Sequence, residues 1–396
     1  LVAVADLNAL DAVTTGQVNV LTLQTLTGKL QDLATAYAAN NSSTGLTGLG
    51  NEALTLSDTA VAAAGLNGLD ALTSGLIDAR SLQAVAGLVS DLNTLYRANT
   101  PTGVLILGNE ALTLNDDTLL AGALNSLDSY NTGSIDAGVA GKVTGTIQEV
   151  HSAYLANGTG ITGLGNEAVT LGDGTLQALQ LLSLDGLTTG VIDAGTANKL
   201  EGLLSHVKLA YEANSSSGIS GLGNEAVTLT DATLDAVPLN VVDGYTGGVI
   251  NASQAASVKG KLIDIQTAYN ASGITGLKDG EVAELTDTLL AVTALNSLDA
   301  MTSGQIDASS LQAVTGLVND LNTMYRANTA TGIWVLGNEA ITLDDTTLAA
   351  GNLNSLDSYN TGSIDAGLAG KITGTVLEVK TAYLANGTGI TGLRNE

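Results

Sequence analysis

Two groups of residues have the types and spacing for chemistry: acidic loops and a recurring glutamate. The loop Leu127–Ala137 reads LDSYNTGSIDA between two predicted helices, and its spacing overlaps that of a helix–loop–helix calcium site. Asp128 falls at loop position 1, Gly133 at 6, Ile135 at 8 and Asp136 at 9. The same loop recurs later with Asp357 and Asp365, so these four carboxylates are the candidate metal ligands and Ca2+ the cation they would take. Against that stand Tyr130 at position 3, where an oxygen ligand is wanted, and Val139 at position 12, where a bidentate Glu belongs. Other copies place Leu72 and Leu187 at position 3. A structural turn whose Asp caps the next helix is the preferred reading, and calcium held elsewhere by Asp, Asn and loop carbonyls stays open.

Catalytic chemistry is thinly provided for. His151 and His206 are the only histidines and read as surface variation at equivalent places of two helices, and there is no Cys. No Ser or Asp stands out from the repeats as half of a nucleophile–base pair. Gly158, Gly160 and Gly163 match G-x-G-x-x-G, as do Gly387, Gly389 and Gly392. The dinucleotide fingerprint needs a strand before it and a helix opening within it, whereas these glycines follow a helix and precede an extended run, so they read as turn glycines. The Glu of GLGNE returns as Glu52, Glu110, Glu167, Glu225, Glu281, Glu339 and Glu396. A side chain present in every copy suits a structural task, such as accepting bonds from strand-edge or turn N–H groups between units. No catalytic residue is therefore expected, no cofactor is called for other than the Ca2+ left open above, and the chain does not read as an enzyme.

The elements that carry these residues follow from their period. Successive Glu residues lie 58, 57, 58, 56, 58 and 57 apart, and Tyr37, Tyr96, Tyr154, Tyr211, Tyr269, Tyr325 and Tyr383 keep the same beat. A fixed period of this size marks a tandem array. It divides the chain into a partial repeat 1–52 and repeats 53–110, 111–167, 168–225, 226–281, 282–339 and 340–396. In each, GNEALTL alternates as a strand, and Asn115–Asp117 can cap a helix beginning near Asp117, with Leu120, Leu124 and Leu127 on its apolar face. SIDA is a short second strand. A second helix is expected over Ser309–Ala327, where Leu311, Val314, Val318, Leu321 and Tyr325 form one stripe. Strands alternating with helices over short loops predict α/β units with short parallel strands, two half-units of roughly 29 residues per repeat, stacked as an elongated solenoid. Leu66–Glu167 also returns nearly unchanged as Leu295–Glu396, so four units were copied together. Irregularity is local: Gly276–Leu285 reads GLKDGEVAEL, with Lys278 and Asp279 where other copies have Gly and Asn, and Pro238 enters a helix.

Composition bounds the partners. A unit near 58 residues buries too little surface to be stable alone, so neighbours must share a core, and with no Phe that core is Leu, Val, Ile and Ala. A net charge of -26 argues against nucleic acid, whose binding is led by Lys and Arg, and against anionic membranes. No apolar run is long enough to span a bilayer, and Leu1 opens no signal peptide.

The lines LNSLDSYNTGSIDA and YLANGTGITGLGNEAVTL resemble the repeat regions of giant cell-surface proteins of marine cyanobacteria, of the SwmB-like kind tied to swimming motility. The resemblance covers all seven units and implies an exported, very long chain on the cell exterior with calcium in its surroundings. It carries over no catalytic residue. The expected role is a structural segment of an extracellular, cell-surface protein: a spacer, filament or surface layer with a part in motility. The alternative is an adhesin-type module that binds cell-surface glycans or a partner cell. The other expected partner is the chain itself, head to tail or side by side with further repeats. Leu1 aligns with Ala60, just past the cap residues Ser57 and Asp58, and Glu396 aligns with Glu52. The segment is accordingly expected to be an internal cut, with Glu396 of one stretch meeting Leu1 of the next.

Overall fold

The computed structural model describes residues 1–40 and 42–394. Strict alternation makes Ala111–Leu114 a strand with Leu112 and Leu114 turned inward. After the turn at Asn115–Asp117 the chain forms a three-residue strand, Thr118–Leu120, which runs directly into helix Ala121–Tyr130. Strands Ile135–Asp136 and Lys142–Gly145 come next, then helix Ile147–Ala156 and strand Ile161–Thr162. The next copy opens at Ala168–Leu171. Two helices alternate with strands in every full copy, as the sequence predicts, and the strands are more numerous than its pattern reveals.

Three expectations are corrected by this layout. The first helix does not begin near Asp117: Thr118–Leu120 keeps the two-residue period of a strand, with Leu119 fully buried and Leu120 61% exposed, so the helix face is Ala121, Leu124 and Leu127. The second helix spans Val318–Arg326 alone; Leu311 and Val314 are buried, but Val314 belongs to strand Ala313–Gly316. The half-units are not equal stretches of 29 residues. Leu119, Val143 and Val169 stand in register with gaps of 24 and 26 residues, and a seven-residue step from Val169 to Leu176 then starts the next sheet.

Every described strand pair is parallel, and the sheets share one order. In one of them Thr118–Leu120 pairs with Lys142–Gly145, then Ala168–Leu171, Ile192–Asp193 and Ile219–Ser220. Its central column, Leu119, Val143, Val169, Ile192 and Ile219, is aliphatic and buried throughout. The first two strands each lead into a helix, and each of those helices is followed by a short strand that joins the preceding sheet. Ile135–Asp136, for example, pairs with Leu112–Thr113 on one side and Ile161–Thr162 on the other. The middle strand leads directly into the next sheet, and each short strand returns the chain to it, as Ile135–Asp136 does to Lys142–Gly145 and Ile161–Thr162 to Ala168–Leu171. Helix pairs thus tie each sheet to the one before it, the arrangement of an α/β solenoid in which each copy completes its neighbour's core.

The chain divides into two compact units. One comprises Leu1–Gly174, Gln180–Thr196 and Ala213–Gly221, the other Thr175–Leu179, Ala197–Glu212 and the chain from Leu222. Each contains the same motif; in the second it recurs as strands Thr233–Asp235, Ser257–Gly260, Val282–Leu285, Ile306–Asp307 and Ile333–Trp334. Pro238 is tolerated because it occupies the first turn of helix Ala236–Asp243, where no intrahelical N–H bond is lost.

The acidic turn after the middle strand caps a helix, but not the one that comes after it. Asp116 Oδ2 accepts the Val89 N–H at 2.8 Å, at the start of a helix 27 residues upstream. Asp58, Asp173, Asp231, Asp287 and Asp345 do the same for Leu30, Ile147, Leu204, Leu262 and Val318. The helix Val89–Arg97 has no cap from its own N-cap residue, Leu88. Asp116→Ala is therefore expected to lower stability by about 1 kcal/mol, measured as a shift of the denaturant midpoint. An unchanged midpoint would show that water serves that N–H equally well.

Candidate functional site

A polar arrangement that recurs through the interior joins a helix, a turn and a strand. Tyr96 lies in the last turn of helix Val89–Arg97 and is 5% exposed, although its residue type carries a hydroxyl. Asn99, just past the helix, holds the adjoining turn in place: its Nδ2 donates to the Ile106 carbonyl and its Oδ1 accepts the Ile106 N–H, both at 3.3 Å. That clamp brings Glu110, 1% exposed, beneath the ring. The Tyr96 hydroxyl donates to Glu110 Oε2 at 2.7 Å, while the carboxylate also accepts the N–H groups of Leu107 at 2.8 Å and Gly108 at 3.1 Å. A buried carboxylate is stable only when its oxygens are bonded in this way.

The node is repeated. Tyr37–Glu52 at 2.9 Å, Tyr154–Glu167 at 2.8 Å and Tyr325–Glu339 at 2.8 Å match it, and Tyr211 donates to Glu225. The Asn clamp recurs too, from Asn40 to Leu49, Asn157 to Leu164, Asn328 to Val335 and Asn386 to Leu393. Glu396 lies outside the described residues. At Tyr269 the pattern loosens: its hydroxyl lies near the Glu281 carboxylate without a hydrogen bond of good geometry, and Lys278, at φ +79, takes a conformation that Gly normally supplies while its N–H bonds Glu281 at 2.6 Å. This is the irregular copy that the sequence singles out.

The next coil closes the node from the other side. Asn131 Nδ2 donates to the Glu110 carbonyl at 3.0 Å, and Asn131 Oδ1 lies 3.3 Å from the Tyr96 hydroxyl. In the next copy the turn presses so closely that a Cβ on Gly190 would stand 1.9 Å from the Glu167 carbonyl oxygen, so only glycine fits. The Glu therefore bonds turn N–H groups, as its recurrence suggests, and its backbone receives the neighbouring coil. Burial first, and then the adjacent carboxylate, push the phenols of Tyr96 and Tyr325 well above the ordinary tyrosine range; burial leads likewise at Tyr37, Tyr154, Tyr211 and Tyr269. A phenol held protonated against a hydrogen-bonded carboxylate fastens coils together, although at Glu52 only Oε2 is bonded and the buried Oε1 has no partner among the described residues.

The candidate metal ligands are placed apart in their roles. Asp128 and Asp357 lie beside Gly160 and Gly389, where burial holds their carboxyls above the usual range. Asp136 and Asp365 do not cap the next helix, contrary to expectation: they turn back onto the N–H groups of Gly138 at 3.0 Å and Gly367 at 2.9 Å, and Thr146 and Thr375 cap the helices that follow. Among the described residues no group of three or more His, Cys, Asp or Glu side chains gathers around a common point. The histidines are not equivalent, contrary to expectation: His151 is the fifth residue of its helix and His206 the third of its own. His151 Nε2 is 2.8 Å from Ser183 Oγ on the exposed surface. Gly158 and Gly163, at φ +91 and +89, form turns between helix Ile147–Ala156 and the next strands. Among the described residues no helix is long and apolar enough to cross a membrane. No protein-family model matches the chain, and neither does any curated protein.

Proposed function

We propose that the chain is a load-bearing segment of a giant extracellular cell-surface protein, a spacer or filament that projects from the cell. The observation that carries this reading is the Tyr–Glu node: its polar groups face inward and bind coil to coil, in copy after copy, at the same place in the fold. The resemblance to cell-surface repeats supports the placement outside the cell, and the acidic surface suits a chain that must stay extended and unaggregated. Single-molecule stretching of the chain should give regular force peaks, each releasing a unit of 57 residues or about 190–200 Å of contour. Antibodies to the chain should label intact cells of its source. Featureless extension, or labelling only after permeabilisation, would overturn the proposal.

A further inference from the structure

The chain contains one Trp, and it is exposed. Trp334 ends the short strand Ile333–Trp334 with 45% of its surface open to solvent. It borders an open cavity of about 430 Å3 whose other walls are Gln305, Asn328, Thr329 and Ala330. Asn328 Nδ2 is held by the Val335 carbonyl at 3.3 Å, which fixes one wall in advance of any ligand. Among the described residues no ionisable side chain lines the cavity.

The internal duplication shows how this ledge differs from its twin. Residue 305 corresponds to Leu76, residue 330 to Pro101 and residue 334 to Leu105, whereas Asn99 and Thr100 are kept as Asn328 and Thr329. At one place an aliphatic ledge has thus gained an indole plane and a primary amide and lost the bulk of a proline ring. Leu105 already suffices for the strand, since Val104–Leu105 pairs with Ile77–Asp78 as Ile333–Trp334 pairs with Ile306–Asp307. Folding alone does not account for an exposed indole there.

We infer that this ledge is a binding subsite for a neutral sugar ring. A pyranose presents a face of C–H groups and a rim of hydroxyls; the indole offers a flat apolar surface for the face, and the Gln305 amide and Thr329 hydroxyl offer donors and acceptors for the rim. The cavity falls within the size range of small-ligand sites. The absence of a cation from its described walls and the chain's charge of -26 select against sulfated or uronic sugars. This goes beyond a mechanical role, because it gives one unit of the array a contact with a glycan.

Because Trp334 is the only Trp, its fluorescence reports on this ledge alone. Titration of the chain with maltohexaose, cellohexaose and chitohexaose should give a saturable change with at least one of them, with a Kd of about 0.1–1 mM. Gln305→Leu should weaken that binding about tenfold by the same signal, and Trp334→Leu should abolish it by calorimetry. Both variants install the residue of the twin unit, so both should keep the melting temperature of the parent. No saturable change with any of the three up to about 10 mM, or unchanged binding in both variants, would overturn the inference.

Discussion

Glu339→Ala is expected to lower the stability of its unit by about 3–5 kcal/mol, the loss expected when one partner of a buried, hydrogen-bonded group is removed. Glu339 is 1% exposed and accepts three bonds: from the Leu336 N–H at 2.8 Å, the Gly337 N–H at 3.1 Å and the Tyr325 hydroxyl at 2.8 Å. Truncation strands all three donors away from water. Glu339→Gln keeps one acceptor oxygen but sets an NH2 group against N–H donors, and should fall between Ala and the parent. Tyr325→Phe removes the bond to the charged Glu339, about 1.5–3 kcal/mol, along with a longer one to Asn360 Oδ1 at 3.3 Å. Asp279→Ala, an exposed carboxylate in a loop, should stay within about 0.5 kcal/mol of the parent. An array need not unfold in one step, so hydrogen exchange should accompany the melts, with lost protection centred on Leu336, Gly337 and the coil of Asn360, whose Nδ2 bonds the Glu339 carbonyl at 2.9 Å. Equal stability of the Glu339→Ala and Asp279→Ala chains would sink the node as the fastening element.

Much of this is legible in the sequence wherever the signal is local. The inward Leu of ALTL and the two helices per copy come from spacing within a few residues, and the period and a structural task for the recurring Glu come from simple recurrence along the chain. The Tyr–Glu pairing escapes that reading although a signal exists: Tyr37–Glu52, Tyr96–Glu110, Tyr154–Glu167 and Tyr325–Glu339 keep a separation of 13 to 15 residues. Constant separation between two beats marks a fixed distance in space as much as a fixed order in the chain. The role of Asp116 is not legible, because capping rules look at the next helix, whereas its carboxylate serves Val89 on the preceding coil. Strand Thr118–Leu120 is hidden for another reason. Three residues that alternate and then run unbroken into a helix can be read as that helix's first turn, and only the burial of Leu119 against the exposure of Leu120 separates the two. The site at Trp334 shows the opposite case: it is visible only where one copy departs from its twin.

Raising the pH should unfold the chain sharply above pH 10. Tyr37, Tyr96, Tyr154, Tyr211, Tyr269 and Tyr325 all have phenol pKa values raised by burial, with a glutamate carboxylate beside each. A tyrosine of this kind keeps its proton in the folded chain over a range where the unfolded chain has lost it. Its contribution to stability is therefore fully present below the ordinary value of about 10 and is lost as pH climbs from there toward the folded-state value. Each such phenol removes about 1.4 kcal/mol per pH unit across that range, so a cooperative stretch of three neighbouring copies loses about 4 kcal/mol per pH unit. Folded domains are stable by only about 5–15 kcal/mol, so melting temperatures should hold steady to about pH 10 and the fold should be gone by about pH 12. The share of the phenolate absorbance that belongs to these six of the ten tyrosines should appear in the same pH interval as the loss of circular dichroism, because a phenol packed against a carboxylate and two coils can ionise only by opening. Complete phenolate formation in a chain that keeps its native dichroism would mean that these hydroxyls reach solvent without unfolding and that the nodes do not hold the coils together.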